Sequence, residues 1–70
     1  KLAPEQDHIK YALAAAHSLL GDTEAALGLL EEAIALNPTR SIHAKRDEDF
    51  QPIGTDSRFL QLVAHSGEQV

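Results

Sequence analysis

Residues 13–38 read LAAAHSLLGDTEAALGLLEEAIALNP, and this stretch decides the fold. Starting just upstream of it, Ile9, Leu13, Ala16 and Leu20 recur at steps of three and four, which places them on one face of a helix. Gly21 suits the left-handed residue that ends such a helix, and Asp22 suits the cap of the next one. The second helix is expected from about Thr23 to Leu36. Ala26, Leu30 and Ala33 form one stripe, Leu27 and Ile34 widen it, and Leu29 and Leu36 lie on a neighbouring stripe. That much apolar surface predicts burial on more than one side. A turn as short as Gly21-Asp22 forces the two helices into an antiparallel hairpin.

Upstream, Pro4 fits a first helical turn, and Glu5 and Asp7 suit its positive dipole end. Downstream, Asn37-Pro38 resets the chain, with Asn37 as a cap and Pro38 as the first residue of a short helix reaching about Arg46. Asp47 to Thr55, DEDFQPIGT, reads as a loop broken by Pro52 and Gly54. Within it Phe50 and Ile53 are three apart, the spacing of a single helical turn that plugs a core. Asp56 caps a last helix from Ser57 to about His65, with Phe59, Leu62 and Val63 as its apolar face. Ser66 to Val70 reads as a polar, fraying tail. No run of alternating β-branched residues signals a strand. The expected fold is therefore all-α: a hairpin over 1–40, capping helices and a plug turn over 41–65, and a tail over 66–70.

Composition narrows the function. Seventy residues make one small domain with a marginal core. The absence of cysteine removes disulfides and thiolate metal sites. A net charge of −5 disfavours non-specific nucleic-acid binding, and one Tyr with two Phe make a poor stacking platform for bases. No apolar run approaches the roughly 18–20 residues that span a bilayer. Cytoplasmic location is the default expectation. The chain begins at Lys1 and contains no Met, which reads as an internal or processed piece.

The hairpin resembles a tetratricopeptide repeat, about 34 residues with a W-x2-L-G-x2-Y, A-x3-F, P pattern. Leu13 and Ala14 stand at its L-G pair, His17 at the Tyr position and Gly21-Asp22 at the turn. Ala26 and Ala33 stand at the small contacts, Leu30 at the Phe position and Pro38 at the closing Pro, while Lys10 replaces the Trp. One repeat thus covers roughly Asp7 to Arg40. The pattern implies that Ala14, Ala26 and Ala33 let the helices approach while Leu13, Leu27, Leu30 and Ile34 fill the space between them. The stretch DEDFQPIGTDSRFLQLV is similar to the end-of-group segment that closes many bacterial arrays of this repeat. Asp47, Asp49, Phe50, Ile53, Asp56, Arg58, Phe59, Leu62 and Val63 fall on its positions, with Ser57 and Glu48 in place of two prolines. The resemblance implies a C-terminal cap whose Phe50, Ile53, Phe59 and Leu62 close the hairpin against Leu27, Leu30 and Ile34.

Candidate chemistry is sparse. His8, His17, His43 and His65 show no H-x3-H or H-E-x-x-H spacing, so no metal is expected. Counted as a calcium loop from Asp47, Pro52 falls where Gly is needed and Arg58 where Glu is needed. Asp47 and Asp56 instead read as helix caps, with Asp49 accepting from backbone amides or from Arg58. Ser18, Ser41, Ser57 and Ser66 lack a G-x-S-x-G setting, so no enzyme and no cofactor is expected. The basic run Arg40, His43, Lys45 and Arg46 reads as solvation of a short helix.

The resemblance implies a non-catalytic protein-interaction module, the terminal unit of a repeat scaffold. In the groove of such scaffolds the first helix of each hairpin meets a protein or peptide partner. His8, Tyr11, Ala15 and Ser18 are the groove-side residues expected here, unless they pack against an upstream helix. Tyr11, Ala12 and Ala15 stand where some relatives carry Lys, Asn or Arg to clamp a peptide carboxylate. Two further readings fit the same residues: a small structural subunit or assembly factor, and a regulatory tail of a signalling enzyme such as a cyclase or kinase. Ile9, Leu13 and Leu20 are expected to remain open toward upstream repeats or toward self-association through the first helix.

Overall fold

The computed structural model describes the backbone of residues 6–67 and the side chains of residues 6–64; Pro4 and Glu5, and residues 68–70 of the expected tail, lie outside the described residues. The order is α1 (Gln6–Leu19), α2 (Thr23–Leu36), α3 (Arg40–Arg46), a 3-10 turn (Glu48–Ile53) and α4 (Ser57–Gly67). The fold is all-α, with no strand among the described residues.

α1 ends where Gly21 adopts φ +83, a conformation open to glycine at little cost. Asp22 then caps α2 by accepting from the Ala25 amide over a long 3.5 Å. The two helices run antiparallel, as a ladder of side-chain pairs shows. His17 Nδ1 lies 3.4 Å from Asp22 Oδ2 near the turn, Lys10 Nζ lies 2.8 Å from Glu32 Oε1 midway, and Asn37 Nδ2 donates to Asp7 Oδ2 at 3.0 Å at the open end. Ala14, Ala26 and Ala33 are buried, as a close helix crossing requires.

α3 begins two residues later than Asn37-Pro38 suggests. The Asn37 side chain is engaged twice, its Oδ1 taking the Thr39 amide at 3.2 Å while its Nδ2 serves Asp7. Pro38 and Thr39 therefore form a turn, and the helix opens at Arg40 with Thr39 as a cap that makes no side-chain bond. Ser41, buried, returns a hydrogen bond from its Oγ to the Pro38 carbonyl at 2.9 Å.

The expected plug exists. In a 3-10 turn, residues three apart eclipse, so Phe50 and Ile53 point the same way, and both are buried. Asp47 caps this turn by accepting from the Asp49 amide at 3.0 Å. The plug sits on α1 and meets α4 through Phe59 and Val63, which with Leu27, Leu30 and Ile34 form one core cluster. Leu62 is half-buried against it. Phe50 and Phe59 stack at 5.8 Å between ring centroids, and Tyr11 meets Phe50 edge-on at 5.4 Å. Burial of side chains of this size is worth about 1.5–3 kcal/mol each.

Two expectations are corrected. Leu13 does not fill the space between the helices; it is 46% exposed. With Ala14 and Ala15 both turned inward and the step per residue near 100°, Leu13 lies roughly 150° from the direction midway between them, on the exposed side of α1. Arg58 does not reach Asp49 either. Its guanidinium forms a fork on Asp56, Nε to Oδ1 and Nη2 to Oδ2 at 3.1 Å each, and extends Nη1 to Glu24 Oε2 at 2.7 Å. The Asp56 carboxylate also takes the Arg58 amide at 2.8 Å, so the cap and the fork are one local structure.

Candidate interaction surface

α1 is the element around which the surface is organised, because it is apolar on two opposite sides. Its inner side carries Tyr11, Ala14, Ala15 and Ser18. The plug covers this side. Ser18 is fully buried, and its Oγ donates to the Asp49 carbonyl at 2.7 Å, so neither group is left unpaired. Of the four residues expected to line an open groove, only His8 is exposed; Ala15 and Ser18 are buried and Tyr11 is half-buried. The segment after Asn37 occupies the space that the groove reading requires to be free.

A polar latch fixes this covered side. Asp7 Oδ2 receives Arg40 Nε at 2.9 Å as well as Asn37 Nδ2, and the two charged side chains are only 13% and 17% exposed. Arg40 lies over the Tyr11 ring, 5.1 Å from its centroid, and the Tyr11 hydroxyl donates to Asp47 Oδ2 at 2.7 Å. Burial, and then the hydrogen bond to the Asp47 carboxylate, push the Tyr11 hydroxyl well above its ordinary range, so it remains a donor. Hydrogen bonds from Asn37 and Arg40 hold the Asp7 carboxyl below its ordinary value of 3.8. The basic run of α3 is thereby divided: Arg40 belongs to the latch, while His43, Lys45 and Arg46 are exposed.

The latch has a pH signature. A carboxyl with a depressed folded-state pKa stabilises the fold fully above its unfolded pKa, and this contribution is lost as pH falls through the folded value. Asp7 and Asp56 both have this sign. Thermal stability is expected to fall progressively below about pH 4. Asp7→Asn should flatten that decline in melting curves recorded across the acid range; an unchanged slope would remove Asp7 from the account.

The outer side of α1 is bare. Ile9 is 53% exposed, Leu20 79%, and Ala12, Ala16 and Leu19 are exposed beside them. A second feature is an open groove of about 640 Å³ between α2 and α4. Its floor is Leu27, Ile34 and Leu62, and its rim is Glu24, Glu31 and Arg58. Gly28 opens onto it, with nothing within 4 Å of the place a Cβ would occupy. His17 Nδ1 is shielded from solvent and lacks an aligned hydrogen bond despite the nearby Asp22. No group of three or more His, Asp or Glu side chains able to hold a metal occurs among the described residues. No helix among them is long and apolar enough to cross a membrane.

The latch is the part that sequence reasoning missed. Asp7, Tyr11, Arg40 and Asp47 are separated by 33 and 36 positions along the two bonded pairs, and no local pattern joins them. Compared with protein-family models, curated proteins and solved structures, the chain has no significant match.

Proposed function

We propose that the chain is a non-catalytic protein-interaction module, the terminal unit of a tetratricopeptide-type scaffold, with the outer side of α1 as its docking surface. One observation carries this reading: α1 presents an apolar stripe diametrically opposite the side it buries. The inner side is covered by α2 and by the chain's own plug, as a cap would cover it. The outer side carries Ile9, Leu13 and, just past the helix end, Leu20, with no comparable cover from the other described residues. Exposed apolar patches of this kind mark interaction sites. The titratable groups that are tied together, Asp7 with Arg40 and Asp56 with Arg58, hold elements in place, and of the four only Arg58 also borders the α2–α4 groove.

The reading is tested by giving the stripe a neighbour. Residues 7–40, the length of one repeat, are duplicated ahead of residue 7. In a repeat architecture, stability is the sum of unit and interface terms, so the longer chain should unfold in one transition at a higher temperature. Leu13→Glu in the copy nearest the cap should uncouple the two hairpins. The same substitution in the single chain should change its stability by no more than about 0.5 kcal/mol, as exposed positions do. Independent unfolding of the added hairpin would overturn the proposal.

A further inference from the structure

α2 lacks a side chain at a place where the hairpin has no use for the gap. Gly28 sits in the middle of the helix, where glycine is the costliest residue after proline. Its φ is not positive, and no atom lies within 4 Å of the position a Cβ would take. Its neighbours Leu27 and Leu30 serve the core, while Gly28 is exposed on the wall of the groove between α2 and α4. A residue without a side chain lets a second backbone come close. Ala35, two turns further along the same wall, is exposed and small as well. The groove measures about 640 Å³ over its floor of Leu27, Ile34 and Leu62, a volume within the range of binding sites.

Charge selects the occupant. The charged side chains that line the groove are Glu24, Glu31 and Arg58. Arg58 is already committed, because its guanidinium holds both Asp56 oxygens and reaches Glu24 at 2.7 Å. Glu31 is exposed and makes no ion pair among the described residues. Two rim carboxylates, with Asp56 behind them, therefore stand against one guanidinium. Gln61 on the α4 side is neutral, and the exposed cations of α3, Lys45 and Arg46, do not line the groove. The chain as a whole has the same sign, at a net charge of −5. A neutral apolar segment would gain burial alone, and an acidic one would be repelled. A basic one gains burial, a partner for Glu31 and long-range attraction.

We propose that the α2–α4 groove is a docking site for a short basic amphipathic helix of a protein partner. Its apolar face lies on Leu27, Ile34 and Leu62, its backbone approaches Gly28, and a Lys or Arg pairs with Glu31. Recognition of a helix in a groove uses apolar anchors at steps of three and four. Glu24 and Glu31 are about 10.5 Å apart along α2, so cations seven residues apart on the partner reach both, the first sharing Glu24 with Arg58. The site is built from α2 and α4 and does not rest on the outer side of α1.

The probe is a fluorescein-labelled peptide of Leu and Lys, about four helical turns long, with Leu at steps of three and four. Its counterpart carries Glu in place of every Lys. Anisotropy titrations with the full chain should show the Lys peptide binding at least about tenfold more tightly than the Glu peptide, and more weakly as salt is raised. Any acidic protein attracts a basic peptide to some degree, so the variants decide. Gly28→Leu fills the notch without touching a charge. The added side chain has open space and Leu is the better helix former, so the melting temperature should hold or rise. Binding should nevertheless fall by about tenfold or more. Glu31→Lys should weaken it to a similar degree. Glu48→Lys makes the same change in charge at an exposed position off the groove and should alter binding by less than about threefold.

A native chain that does not bind the Lys peptide at millimolar concentration would overturn the proposal. So would equal losses from Glu31→Lys and Glu48→Lys, which describe attraction to net charge alone. Undiminished binding by Gly28→Leu would put the peptide elsewhere, the outer side of α1 included. That result overturns the groove and leaves the docking reading of α1 standing.

Discussion

Phe50→Ala is expected to destabilise the protein by about 3–5 kcal/mol, the range for removing a buried aromatic side chain. Phe50 is 1% exposed and is the largest fully buried side chain described. Its ring touches Tyr11 of α1 on one side and Phe59 of α4 on the other, so it joins three elements. The 3-10 turn that carries it is held on α1 by buried Ile53 and by the Asp49 carbonyl, which accepts from the buried Ser18 hydroxyl at 2.7 Å. The surroundings therefore have little means of collapsing into the void, which places the cost toward the upper end. Small domains have total stabilities of about 5–15 kcal/mol, so a large part of the folded population is at stake. Urea unfolding followed by far-ultraviolet circular dichroism measures it. A loss below about 1 kcal/mol would show that the plug is not a core element.

Leu30→Ala is the second large effect, at about 2–5 kcal/mol. Leu30 is fully buried at the middle of α2, and α2 borders α1, α3 and α4, so the void would open at the centre of the molecule. The informative comparison is Leu13→Ala, the same chemical change one helix away. Leu13 is exposed, and its truncation should alter monomer stability by no more than about 0.5 kcal/mol. The resemblance assigns both residues to the space between the helices. Denaturation midpoints of the two variants, measured at a concentration where the chain is monomeric, separate a packing residue from a surface one. Equal midpoints would contradict the orientation of α1.

The pair also shows how far the sequence is legible. Local signals read true where one residue type is tied to one backbone demand. Gly21 takes a positive φ, Asp22, Asp47 and Asp56 each cap the next helical segment, and the three-residue spacing of Phe50 and Ile53 marks a plug. Periodicity is informative for α2, whose buried set is Ala26, Leu27, Leu30, Ala33 and Ile34. It misdirects in α1. There the large aliphatic residues define one face, but the core takes the opposite one, built from Ala14, Ala15 and Ser18 with the flank of Tyr11. Small residues win that position because the plug must approach the helix backbone closely enough for Ser18 to bond the Asp49 carbonyl. The candidate site is legible in outline only. Ile9, Leu13 and Leu20 are identifiable as an open face, whereas Tyr11, Ala15 and Ser18 cannot be recognised as covered without knowing where residues 47–53 fold back.

The ladder that fixes the antiparallel hairpin also sets an order of assembly. His17 and Asp22 are five residues apart, Lys10 and Glu32 are 22 apart, and Asp7 and Asn37 are 30 apart. Each doubling of the loop to be closed adds about 0.6 kcal/mol of entropy cost, so pairing starts at Gly21 and zips outward. The Asp7–Arg40 latch forms only after that zipper has brought the start of α1 against the end of α2. By the same sequence in reverse, the amides of the first turn of α1 are the earliest in the hairpin to exchange with solvent, while those flanking Leu30 wait for global unfolding.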